Sequence, residues 1–303
     1  MNTEEIKNYC LGKWKAYEDS PFGDVPICYR LNKKIFAQIY PNPHDYTHPG
    51  IPQYMPSRAG GLRPTRDKIT LKCTPDFGQF YRQIYPGVVV RGYYCPPAQQ
   101  PYWNTIYLKD FPEDELLKMI DHAYDTVLHS FSKKGQKEIL TVEELEIRDI
   151  RPEEYSLLED FLYDAIYIPE GMEAPSREVI RQPELAVYIE DFGQPNDWCL
   201  VAESGGFLLG TVWCRVLSGE KRGYGNVSED TPELAISVKK EFRHQGIGKQ
   251  LMREMLDLLR KKGYSDVSLS VSRENFAFEM YKSLGFQIVK EKETEALMLL
   301  ELG

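Results

Sequence analysis

The stretch Glu233-Leu-Ala-Ile-Ser-Val238-Lys-Lys-Glu-Phe-Arg243-His-Gln-Gly246-Ile-Gly248-Lys-Gln-Leu251 constrains the chain more than any other. An apolar run of strand character enters a charged turn. A Gly-x-Gly step then opens a long amphipathic helix with Ile247, Leu251, Met255, Leu258 and Leu259 along one stripe. The first N–H groups of a helix lack intrahelical partners, and the macrodipole puts partial positive charge there. Two glycines let an anion approach the backbone, and Arg243 and Lys249 add full charges. The pattern is an anion cradle. Its helix ends at Arg260-Lys-Lys-Gly263, with cations over the C-terminal dipole and glycine just past the end. Ser265–Val271 alternates as a strand. A right-handed crossover puts 233–238 and 265–271 parallel in one sheet, with the cradle at the carboxyl end of the first strand.

Two nucleotide readings of the glycines fail. The dinucleotide fingerprint needs a third glycine where Leu251 stands, and the phosphate loop needs Ser or Thr after Gly248-Lys249, where Gln250 stands. Around the cradle the second half alternates strand and helix. Leu145–Ile150 reads as a strand, and Pro152 opens a helix with Leu157, Leu158, Phe161, Leu162 and Ala165 inward. Short helices start near Ser176 and Pro183, the second with Leu185, Tyr188 and Ile189 inward. Ser204-Gly-Gly206 joins two strands as a hairpin. Asn275 caps a helix running to Leu284, and strands at 286–289 and 294–302 close the chain.

The first half has a different character. Residues 1–138 hold 18 Lys/Arg against 15 Asp/Glu, and the remainder 19 against 31, so the halves carry +3 and −12 of the net −9. A helix is expected over Thr3–Leu11 with Thr3 as cap, and a hairpin over Val25–Tyr40 turning at Asn32-Lys33. Residues 41–66 read as a long Pro- and Gly-rich loop. Thr74 and Pro75 open a helix, strands are expected at 88–90 and 103–108, and Pro112 opens a last helix through Phe131. Ser132–Glu138 is polar and aperiodic, which puts the boundary there: a domain at 1–134, a linker at 135–144 and a domain at 145–303. The architecture is α+β in two domains.

The six cysteines form no C-x-x-C pair, and His44 and His48 lie between prolines without cysteine or carboxylate partners in register, so no metal is expected. The opening Met1–Lys7 is polar and acidic, unlike a signal or transit peptide, and no apolar run approaches the ~20 residues that cross a bilayer. A cytoplasmic location without membrane contact is expected. The acidic second half favours cationic partners.

Arg243-x-x-Gly246-x-Gly248 after an apolar strand resembles motif A of the GNAT acetyltransferases. Ser270-Val-Ser-Arg-Glu-Asn275, followed by Tyr281-Lys-Ser-Leu-Gly-Phe286, resembles their second motif; the likeness covers roughly residues 145–302. It implies a mixed, partly parallel sheet flanked by helices, with acetyl-CoA as acyl donor. The pyrophosphate would sit on Arg243, His244, Gln245, Gly246, Ile247, Gly248 and Lys249, with Asn275 contributing and pantetheine along the strand edge at Ile236 and Val238. Tyr281 stands where the family places the acid that protonates the departing thiolate. Acyl transfer also needs a proton acceptor for the amine. Glu233 at the strand start is the candidate base, against a solvated carboxylate with no such role, and Asp230 is the backup. Glu170, Glu173 and Glu184 are either contacts for a cationic acceptor or ordinary surface acids.

In the first half, Pro21-Phe-Gly23, Asn32-Lys-Lys-Ile-Phe-Ala37, Thr70-Leu-Lys-Cys-Thr-Pro75, Tyr85-Pro-Gly-Val88, Trp103-Asn-Thr-Ile-Tyr107 and Ile120-Asp-His-Ala-Tyr-Asp125 resemble MmcQ/YjbR-like domains, which implies a small CyaY-like α/β fold. Lys33, Lys34, Arg63, Arg66 and Lys68 are candidates for a nucleic-acid surface there, against a scaffold or protein-binding role. The expected reaction is acetyl transfer from acetyl-CoA to a primary amine of a small molecule or peptide. The competing reading is an acyl-CoA sensor without turnover, coupled to nucleic-acid or protein binding by the first domain. Acceptor and oligomeric state are not encoded in any readable motif.

Overall fold

Separate hydrophobic cores lie in two units, Met1–Leu140 and Thr141–Gly303. The computed structural model describes residues 1–41, 54–56, 62–64, 67–92, 95–109, 111–169, 171–217, 222–291 and 293–303, with 54–56 and 62–64 in backbone only. The first unit runs α1 (Thr3–Leu11), β1 (Ala16–Asp19), β2 (Ile27–Leu31), β3 (Lys34–Tyr40), β4 (Tyr54–Pro56), β5 (Leu62–Pro64), β6 (Lys68–Lys72), α2 (Pro75–Ile84), β7 (Val89–Arg91), β8 (Trp103–Tyr107), α3 (Glu113–His129) and α4 (Lys133–Leu140). Its antiparallel sheet has the order β1-β2-β3-β6-β8-β7, with β4 and β5 paired apart. Alternate residues such as Ile39, Ile69, Leu71 and Ile106 share one core with Leu116, Ile120, Ala123 and Val127 of α3.

Local chemistry explains most of these elements. Asn32 and Lys33 are both left-handed (φ 41° and 70°), the geometry of a two-residue hairpin turn, and they join β2 to β3. The cap of α1 is Asn2 rather than Thr3: its side chain accepts from Glu5 N–H at 2.9 Å, and Glu5 returns a bond to Asn2 N–H at 2.7 Å. Thr74 makes no side-chain cap on α2; its N–H donates to His122 Nε2 at 3.2 Å. Much of the stretch expected as a linker is helix α4. Its single buried residue, Ile139, joins the first core, and the Trp14 indole donates to the Ile139 carbonyl at 2.9 Å.

The second unit runs β9 (Glu146–Asp149), α5 (Leu158–Ala165), α6 (Pro183–Ala186), β10 (Trp198–Ser204), β11 (Phe207–Arg215), β12 (Glu233–Val238), α7 (Ile247–Lys262), β13 (Asp266–Ser272), α8 (Ala277–Ser283), β14 (Gln287–Glu291) and β15 (Glu295–Glu301). The sheet order is β14-β15-β13-β12-β11-β10-β9, mixed through the parallel pair β12–β13. α7 buries Ile247, Leu251, Met252, Met255, Leu256 and Leu259, while Leu258 is half-buried, so the stripe lies slightly off the expected one. α6 stops at Ala186, before Tyr188 and Ile189. Turns follow, with Tyr188 N–H bonded to the Leu185 carbonyl (3.1 Å) and Ile189 N–H to that of Ala186 (3.0 Å), and β11 side chains take the next carbonyls: Arg215 those of Val187 and Glu190 (2.8 and 2.6 Å), the Trp213 indole that of Tyr188 (3.0 Å).

One feature of this sheet positions the site. β12 pairs with β11 along its whole length, but its register with β13 is the single pair Glu233↔Ser268, with Ser268 N–H donating to the Pro232 carbonyl at 3.0 Å. Beyond that point the two strands part. Strand alternation then turns the backbone groups of Ile236 and Val238 toward the gap.

Candidate active site

The turn from β12 into α7 holds two left-handed residues, His244 (φ 63°) and Gly246 (φ 84°), and it delivers an α7 N-terminus with no side-chain cap. The unsatisfied N–H groups of that first turn are therefore free for a ligand. Gly246 faces open space. A Cβ on Gly248 would come within 3.6 Å of Val238, 3.8 Å of Ile236 and 4.0 Å of Met280, so the glycine preserves a narrow space bounded by β12, α7 and α8. His244, Gln245 and Lys249 are exposed around it, while the Ile247 side chain turns into the core.

Arg243 is placed differently from the expectation. Its Nε donates to the Val238 carbonyl at 2.9 Å and its Nη2 to the Asp164 carbonyl at 3.1 Å. The guanidinium ties the end of β12 to the end of α5 instead of extending into the cradle, and it occupies the carbonyl of Val238, one of the two residues expected along the pantetheine. Two further expected ligands are also engaged. Gln245 accepts from Val142 N–H at 3.2 Å, and the Asn275 side chain accepts from Ala277 N–H at 2.9 Å, holding the start of α8. Phe276, 58% exposed, brings its ring within 5.0 Å of the His244 ring, so the two loops meet beside the cradle.

Tyr281 on α8 is 6% exposed, edge-on to Phe286 at 5.8 Å, and its hydroxyl bonds to no described residue. Burial pushes its phenol well above the ordinary range, so the proton stays on at any working pH. Next to it in sequence, Met280 borders the space kept by Gly248.

Glu233 lies at the closed end of the gap and is 0% exposed, so it is not a solvated strand-start acid. Tyr188 donates to its Oε2 at 2.8 Å, Gly225 N–H to Oε2 at 3.1 Å, and Gly223 N–H to Oε1 at 3.3 Å. A carboxylate offers about four acceptor sites; three are filled, which leaves one on Oε1. Burial and, after it, the neighbouring Glu233 carboxylate push the Tyr188 phenol upward. Asp230 and Glu173 are exposed and Glu184 sits on the surface of α6, while Glu170 falls outside the described residues.

Residues 11–126 match the family model described as YjbR, and residues 159–286 match that of the Acetyltransferase (GNAT) family. The chain joins a YjbR domain to a GNAT domain. N-acetyltransferase 8 of Mus musculus is 37% identical over 98 residues, covering 32% of this chain and 41% of that protein. N-acetyltransferase 8 of Rattus norvegicus is 34% identical over 111 residues, 36% and 47% of the two chains. The chain thus spans less than half the length of these curated relatives. The PaiA N-acetyltransferase from Thermoplasma acidophilum, solved with coenzyme A, aligns over 52% of this chain and 99% of its own at 22% identity and a TM-score of 0.40.

Among the described residues, no three His, Cys, Asp or Glu side chains are placed to hold a metal, and no helix is long and apolar enough to cross a membrane; His44 and His48 fall outside them. In the YjbR domain, Lys34 is tied down. Its Nζ bonds Ser130 at 2.9 Å and lies 4.1 Å over the Phe131 ring. Lys68 lies 5.1 Å over the Tyr40 ring, Lys33 is exposed, and the side chains of Arg63 and Arg66 fall outside the described residues. The residues that sequence reasoning passed over are Tyr188, Gly223 and Gly225, which hold Glu233. The only hint was glycine spacing in a loop that reads as featureless.

Proposed function

We propose that this protein transfers an acetyl group from acetyl-CoA to a primary amine. The observation that carries the reading is the space at Gly248, where an uncapped helix N-terminus, an unpaired strand edge and the helix bearing Tyr281 converge. The cradle suits a diphosphate. From Val238 back to Glu233 is five residues, about 16 Å at ~3.3 Å per residue. An extended molecule anchored on α7 therefore runs along β12 toward the closed end. Gly246, Gly248 and the N–H groups of 246–249 would hold the diphosphate, with Lys249 at the rim, and Ile236 N–H, Ile236 C=O and Val238 N–H would pair with the arm.

Bound acetyl-CoA supplies an acetyl group already activated as a thioester. The amine nitrogen bonds to the acetyl carbon as the carbon–sulfur bond breaks. Glu233 accepts the amine's proton, directly or through water, at its open Oε1 site. Tyr281 holds a proton beside the departing sulfur. Its raised proton affinity makes it a hydrogen-bond donor to the thiolate (~8.5 for an ordinary thiol) more than a full proton donor. Six free cysteines accord with a reducing cytoplasm.

Thermal melting with acetyl-CoA tests the cofactor. At about 100 times Kd the folded state gains ~2.7 kcal/mol, roughly 5–10 °C for a domain of this size; an unmoved midpoint would contradict the reading. Thiol release from acetyl-CoA across a polyamine, an amino sugar and a peptide with a free N-terminus tests the transfer. Binding without release by any amine would favour the sensor.

A further inference from the structure

One buried side chain stands between the framework of the GNAT domain and the Glu233 carboxylate. Tyr188 follows α6, is 7% exposed, and donates to Glu233 Oε2 at 2.8 Å. Gly225 N–H faces both groups, 3.3 Å from the Tyr188 hydroxyl and 3.1 Å from Oε2. A Cβ at Gly223 would collide with Oε2 and with the Tyr188 phenol, so only glycine fits against the paired phenol and carboxylate there.

The backbone that carries Tyr188 is fixed from β11. Trp213 holds its carbonyl, and Arg215 holds the carbonyls of Val187 and Glu190 on either side. Arg215 also donates to Asp197 at 2.9 Å, and Asp197 accepts from the N–H groups of Gly193 and Gln194 (3.0 and 2.9 Å). This ion pair is buried on both sides. Arg215 stands opposite Glu233 in the β11–β12 register, yet its guanidinium serves the turn that holds Tyr188. Asp197, Arg215, the 187–190 carbonyls, Tyr188 and Glu233 thus form one continuous set of contacts.

We propose that Tyr188 is a positioning residue for the transfer reaction, keeping the Glu233 carboxylate aimed, with Trp213 and the Arg215–Asp197 pair fixing the phenol. The proposal rests on Glu233 as the proton acceptor. Without the phenol's donation the carboxylate keeps only the two loop amides, Gly223 and Gly225, and its orientation is no longer fixed from β11. β13 brings the neutral Ser268 at the register position.

The test compares full-length wild type, Tyr188→Phe and Glu233→Gln, using acetyl-CoA and the fastest acceptor of the amine panel. Tyr188→Phe keeps the ring and its packing. We expect its kcat, counted per folded enzyme, to fall about tenfold with KM for acetyl-CoA within about twofold. A merely structural role lowers the folded fraction and leaves kcat per folded enzyme in place. An inactive Glu233→Gln beside a Tyr188→Phe kcat equal to that of the wild type overturns the proposal alone. A fully active Glu233→Gln overturns the assignment of Glu233 and the proposal with it. A wild type that turns over no amine overturns the functional reading beneath both.

Discussion

The two ends of β12, about 16 Å apart on a ~3.3 Å rise, are built on opposite principles. At the cradle, polar capacity is left open: left-handed backbone at 244 and 246, an uncapped helix, and exposed His244 and Lys249. At the closed end it is nearly consumed, with Glu233 buried and accepting three hydrogen bonds. On the proposed reading, the difference teaches that binding and chemistry are separable along one strand. A diphosphate needs accessible donors and little else. A proton acceptor needs a fixed orientation, and the Glu233 carboxylate is held by a phenol and two loop amides, with a buried ion pair behind the phenol.

That contrast can be broken by substitution. The largest effect is expected from Glu233→Gln, which removes the proposed proton acceptor and should lower kcat by about a hundredfold or more while leaving acetyl-CoA affinity near normal by calorimetry. A comparable loss of affinity would merge the two ends into one site. Tyr281→Phe should reduce kcat by roughly tenfold, the scale of one hydrogen bond to a charged group, again with affinity retained; unchanged turnover would remove Tyr281 from the chemistry. Gly246→Ala places a Cβ at φ 84°. It costs about 1–2 kcal/mol of backbone strain, so acetyl-CoA binding should weaken by about tenfold with kcat at saturation largely preserved. Lys249→Ala, at an exposed rim position, should cost only a few-fold in affinity, and the deficit should shrink as salt is raised; a deficit that persists in high salt would make Lys249 a buried contact of the bound state.

What the sequence disclosed follows the same division. The cradle was legible because glycine spacing, strand run and amphipathic helix are contiguous, and the parallel crossover followed from handedness alone. Paired strands joined by short turns were legible for the same reason, with Asn32-Lys33 adopting the left-handed backbone a tight hairpin needs. The closed end was not. Tyr188 looked like a helical core residue, but helix α6 ends at Ala186, and Tyr188 sits in the turns after it, where side chains of β11 hold the carbonyls of 187, 188 and 190. Gly223 and Gly225 looked like loop filler, yet a Cβ on Gly225 would lie 3.2 Å from the Leu269 backbone. Arg243 looked like an anion ligand because spacing cannot show which way a guanidinium turns. Helix α4 hid in a polar stretch whose one anchor, Ile139, gives no periodicity.

The parting of β12 from β13 also gives a central strand the solvent behaviour of a border. In a seven-stranded sheet the fourth strand from either side should be the slowest to trade its amide protons for deuterium. Here Ile236 and Val238 should exchange as rapidly as a sheet margin does, while Ala235 and Ser237, bonded toward β11, stay protected. A bound molecule lying along the gap would silence the first pair and leave the second unchanged, an odd–even signature within one strand.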